Sequence, residues 1–123
     1  MSLQAKYITI AILFIIHFIL GYVLTRSGKP YSTALLTIHK LAALAALVLI
    51  VLAALQIYRE AGLDNLAIAA VMITVILFVT TILTGGALSA AIQPLTIVAG
   101  IHKIFPYLTL ISTVVTIYLF SFR

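Results

Sequence analysis

A chain of 123 residues that is 65% hydrophobic and only 7% charged cannot present the polar surface of a water-borne domain, and it is read as an integral membrane protein. Its net charge of +5 does not point to nucleic acid, because basic residues at helix ends ordinarily anchor membrane proteins to anionic headgroups. The absence of cysteine excludes disulfides, thiolate metal sites, iron–sulfur clusters and thioether-linked haem, which leaves imidazole as the one strong soft-metal ligand.

A membrane-spanning helix needs about 20 mostly apolar residues. The first run, residues 7–25, follows a single lysine, exceeds the apolar core of a signal peptide and lacks a convincing small-residue cleavage site, so it is read as a retained helix. "TRSGKP" then separates it from a second run, residues 31–58, with Pro30 placed to open that helix. "REAGLDN" makes the next turn, where Asp64 is the expected N-cap of a third helix over residues 65–84. "TGGALSAAIQP" is expected to stop that helix at Gly85-Gly86 and to launch a fourth, residues 94–121, from Pro94. The expected fold is all-α, a single up-down-up-down four-helix bundle spanning the membrane.

The two halves of the chain, residues 1–60 and 61–123, resemble each other. At an offset of 64, Leu13, Phe14, Gly21 and Pro30 fall on Leu77, Phe78, Gly85 and Pro94. After one residue is dropped, "IHK" at Ile38, His39 and Lys40 falls on Ile101, His102 and Lys103. An internal two-helix repeat is therefore expected, with both copies crossing the membrane in the same direction about a pseudo-twofold axis along its normal.

The histidines lie within these runs. His39 is nine positions after Pro30, His102 eight after Pro94, and His17 nine before Arg26 on a helix of opposite direction. At ~1.5 Å per residue, all three lie roughly 10 to 14 Å in from the face carrying the first and third loops. An ionisable side chain at that depth is costly without a partner and marks a functional candidate, although a single such histidine often serves only as an interhelical hydrogen bond. Small residues follow His39 on its own face: Ala42, Ala43, Ala46, Ile50 and Ala53. Phe105, Pro106, Thr109 and Thr113 follow His102. Such strips permit close helix packing, and a strip that starts at a histidine in both copies also suits a flat macrocycle. Pro106 removes the hydrogen bond to the His102 carbonyl and is expected to kink the fourth helix there. Two imidazoles related by a twofold axis can bind one haem iron from both sides. Lys40 and Lys103 are placed either to pair with the haem propionates or to anchor the helices at the headgroups.

Paired histidines on the second and fourth of four helices, each in an "IHK" and followed by small residues, resemble the b-type membrane cytochromes. The resemblance rests on the helical layout and those positions, without a long diagnostic motif. It implies a non-covalent haem b with His39 and His102 as axial ligands, exchanging electrons with quinone, superoxide or a partner redox protein. The chain departs from di-haem members in having three histidines, with Thr81 at the repeat position of His17. One bis-His haem per chain is the most that pairing allows, which leaves His17 to contact a propionate, a quinone or the cofactor edge. Two filled axial positions favour electron transfer over oxygen activation. A quinol- or superoxide-linked oxidoreductase would need a separate donor pocket, for which Gln56 is the weak candidate and a helix contact its plainer role.

Other classes compete. His17, His39 and His102 together could form a copper or zinc site. A small transporter fits the length, yet proton-coupled cation export calls for an embedded carboxylate, and Glu60 and Asp64 both fall in a loop. A membrane anchor subunit without cofactor, or a homo-oligomer, is compatible with such a chain. Arg26, Lys29, Lys40 and Lys103 against Lys6, Arg59 and Arg123 place both termini outside, in what is read as a prokaryotic cytoplasmic membrane. If the two lysines of the "IHK" pairs serve propionates, the tally reverses to two against three.

Overall fold

With no water in the bilayer core to satisfy peptide groups, an apolar run must close its own hydrogen bonds, and each of the four runs does so as a helix. The computed structural model describes residues 1–122, and the chain is all-α: α1 (Leu3–Ser27), α2 (Thr33–Ala61), α3 (Asn65–Ala90) and α4 (Thr96–Ser121). All four are long and apolar enough to cross a membrane. Arg123, counted in the charge tally, lies outside the described residues.

Local chemistry fixes the helix ends. The Ala5 N–H donates to Ser2 Oγ at 3.1 Å, which starts α1 four residues earlier than apolarity alone requires. Gly28 ends it at φ 66°, a conformation in which a side chain would be strained, and its N–H donates to the Leu24 carbonyl. Asp64 caps α3 as expected, its Oδ1 accepting from the Ala67 N–H at 2.8 Å. Gly62, at φ 75°, follows the end of α2 and carries that helix to Ala61 before the chain turns.

Three expected boundaries are corrected. Pro94 does not open α4, which starts at Thr96. Pro30 does not open α2 but lies in the connector, and the helix starts at Thr33, where the Leu35 N–H reaches Ser32 Oγ. Gly85-Gly86 does not stop α3, which continues to Ala90. In an apolar medium the unbroken backbone ladder outweighs the modest intrinsic penalty of glycine, and small residues let a neighbouring helix approach. α4 runs unbroken through Pro106.

The chain divides into two compact units, Met1–Ala53 and Ala54–Arg123, with the boundary inside α2. In the first unit the buried positions of α1, including Ile10, Phe14, His17 and Leu24, recur at helical spacing, as do Ala42, Ala46, Ile50 and Ala53 of α2. In the second, α3 packs against α4 with Thr74, Phe78 and Thr81 buried on one side and Thr109, Thr113 and Thr116 on the other. Large apolar side chains such as Ile12, Ile19, Leu44, Ile76 and Ile111 remain exposed. On a water-soluble protein that much exposed apolar surface would aggregate; on a membrane protein it is the lipid-facing side.

Candidate functional site

In the first unit, α1 and α2 bring His17 and His39 together. Their rings stack with centroids 4.1 Å apart and planes 11° from parallel. A carbonyl can only accept, so the contact of His39 Nδ1 with the His17 carbonyl at 3.0 Å requires the proton on Nδ1. The pair is reciprocal: His17 Nδ1–H donates to the His39 carbonyl at 3.2 Å. A neutral ring held in this way carries its lone pair on Nε2. Gly21, one turn beyond His17, makes room for the arrangement: a Cβ there would lie 3.1 Å from His39 Cε1. Phe18 meets the His17 ring edge-on at 5.8 Å between centroids.

The second unit contains the same latch in the register of the repeat. His102 Nδ1–H donates to the carbonyl of Thr81, the residue at the His17 position, at 3.0 Å. Gly85, the counterpart of Gly21, lies under the ring, where a Cβ would come within 2.8 Å of His102 Cε1. The two latches differ in what accompanies the carbonyl. Where the first unit stacks an imidazole, the second brings Thr84 Oγ1 to 3.1 Å from His102 Nδ1. The Thr84 hydroxyl donates to the Thr80 carbonyl at 2.8 Å, so its oxygen shares the Nδ1 proton as a second acceptor.

Below His102 a row of hydroxyls binds α3 to α4. Thr74 Oγ1 donates to the Ala70 carbonyl and accepts from Ser112 Oγ at 2.6 Å and Thr116 Oγ1 at 3.0 Å. Thr81 and Thr109 meet at 3.3 Å, each hydroxyl also donating to a carbonyl of its own helix. These hydroxyls form a set of interhelical contacts between α3 and α4.

The remaining sequence candidates are placed as follows. Ala42, Ala43 and Ala46 are buried, so the strip beside His39 is packed. Thr109 belongs to the α3–α4 seam, and Phe105 is half-buried. Lys40 and Lys103 are exposed. Gln56 donates to Glu60 Oε1 at 2.9 Å, one turn on in the same helix. Among the described residues no group of three or more His, Cys, Asp or Glu side chains is arranged to hold an ion. Sequence reasoning did not single out Thr84, Thr74, Ser112 or Thr116. A hydroxyl every three or four positions on α4, from Thr109 through Thr113 to Thr116, was the available signal for the seam.

No protein-family model, curated protein or solved structure matches the chain.

Proposed function

We propose that this protein is a membrane electron-transfer protein that holds one haem b, with His39 and His102 as its two axial ligands. The observation that supports the reading is the repeated latch. A histidine that binds a metal through one ring nitrogen almost always donates its other N–H to a carbonyl or carboxylate, which fixes the tautomer and raises the basicity of the ligating nitrogen. His39 and His102 each meet that condition through Nδ1, at equivalent positions of the repeat. The donor set also suits the group chemically: two neutral imidazoles in apolar helices are ligands for a low-spin haem, which supplies a one-electron iron couple when bound.

The chain's own residues hold and tune the site. The Thr81 and His17 carbonyls keep the lone pair of each ring on Nε2. The glycines beneath the rings let the helices close on them. Lys40 and Lys103, each next to a ligand, carry the positive charge that the propionates need. Quinone in the bilayer or a soluble redox protein is the exchange partner this chemistry fits. A prokaryotic cytoplasmic membrane is the proposed location, and the charge distribution favours both termini outside.

Substitution tests the ligands. His39→Ala and His102→Ala each abolish the low-spin haem spectrum of the purified protein, whereas His17→Ala retains it with weakened binding. A low-spin spectrum surviving in either of the first two variants would remove the assignment.

A further inference from the structure

The two latches are not equivalent, and the difference lies at His17. Its side chain is buried, 7% exposed, and engaged on three sides. It lies flat on His39, meets Phe18 edge-on, and donates Nδ1–H to the His39 carbonyl. At the equivalent place in the second unit stands Thr81, which offers His102 its carbonyl but no ring. There Thr84 supplies the extra acceptor on His102 Nδ1. Each histidine of the repeated pair therefore has one carbonyl acceptor in common and one additional restraint of its own.

We infer that His17 is a positioning residue: its stacked ring and its bond to the His39 carbonyl fix the plane of the His39 imidazole, whose tautomer is set by the backbone carbonyl of residue 17. This rests on the proposed haem reading for its consequence, but the positioning itself is a property of the α1–α2 pair. A carbonyl acceptor alone defines the direction of the Nδ1–H vector and leaves the ring able to rock about it. A second flat ring 4.1 Å away and 11° from parallel removes that freedom on one face. The reciprocal bond also holds the α2 backbone at His39 against α1, so the ligand's own attachment point is pinned. Were haem held by these residues, the ring plane of His39 would bear on the g-values of its low-spin ferric iron. His17 sets the ring plane of His39 within the first unit, and Thr81 and Thr84 hold the ring of His102 within the second. A role for His17 at a propionate or a quinone is not required by this arrangement.

Two measurements on the full-length protein test it. Nitrogen NMR of 15N-histidine-labelled protein, read without haem, reports tautomers directly. The wild type shows His39 as the single Nδ1–H tautomer with sharp ring signals; His17→Ala keeps that tautomer, since the residue-17 carbonyl remains, but shifts and broadens the His39 signals as the ring rocks, with His102 unchanged, and His17→Phe, which keeps a flat ring, restores much of the wild-type signal. Electron paramagnetic resonance and haem titration then read the loaded protein. His17→Ala shifts the g-values and weakens haem binding about 10-fold, the low end for a residue that orients a metal ligand. Unchanged His39 nitrogen signals in His17→Ala would overturn the positioning role. Loss of the low-spin signal in His17→Ala with its retention in His39→Ala would overturn it too, by making His17 the ligand. A nitrogen effect in a protein that takes up no haem would uphold the positioning and reject the haem reading alone.

Discussion

At the scale of single residues, the two glycines under the histidine rings carry the sharpest consequence. Adding a methyl at Gly85 places it 2.8 Å from His102 Cε1, closer than carbon atoms approach, while at Gly21 the corresponding distance to His39 is 3.1 Å. The His102 ring is held by the Thr81 carbonyl and the Thr84 oxygen, so it cannot yield without losing a bond. Gly85→Ala is therefore expected to destabilise the protein by about 1–3 kcal/mol, the usual cost of overpacking, and Gly21→Ala by less. Unfolding titrations in mixed micelles measure both. In a His102→Ala background the Gly85→Ala penalty should largely vanish, because the clash has no partner; a penalty that persists there would show that the glycine serves something else. The histidines themselves were legible from the sequence, since "IHK" recurs and ionisable residues are conspicuous in apolar runs. Gly21 and Gly85 were legible as matching letters, but their purpose was not, because it depends on a ring from the next helix. Thr84 gave no signal, since a threonine in a membrane helix usually bonds only to its own backbone.

At the scale of elements, α3 and α4 are joined by hydroxyls, whereas the buried positions of α1 and the first part of α2 are mostly apolar. Thr74 is the hub of the seam, accepting from both Ser112 and Thr116. Interhelical hydrogen bonds in membranes average about 0.6 kcal/mol, so Thr74→Val, which removes two, should cost about 1 kcal/mol. Thr80→Val is the control: that hydroxyl donates only to the Ile76 carbonyl of its own helix, and its loss should be close to neutral. Equal effects of the two in the same unfolding measurement would contradict the seam. Asp64→Ala should remove about 1 kcal/mol through the lost cap on α3, seen in the same titration. Four helices could be counted from hydropathy because a twenty-residue apolar run has few alternatives. Their ends were less legible. Asp64 was recognised because its side chain caps locally, but Gly85-Gly86 misled: in water a glycine pair ends a helix, and in a helix that must satisfy every peptide group it does not.

At the scale of the whole molecule, all four helices are long and apolar enough to span a membrane, and the proposed orientation has both termini outside. The chain has no cysteine, so single reporters can be introduced directly. In intact cells a membrane-impermeant maleimide should label Ala61→Cys, beside the second connector, and spare Gln93→Cys in the third; the reverse pattern would invert the orientation. The functional reading depends on whether the repeated latch prepares ligands or merely ties helices together, and spectroscopy separates these most directly. The decisive measurement is the oxidised and reduced absorption spectrum of freshly purified protein, with haem and protein quantified together. The account predicts a strong Soret band, sharp bands on reduction and one haem b per chain; a colourless protein that stays colourless when haem is supplied would contradict it.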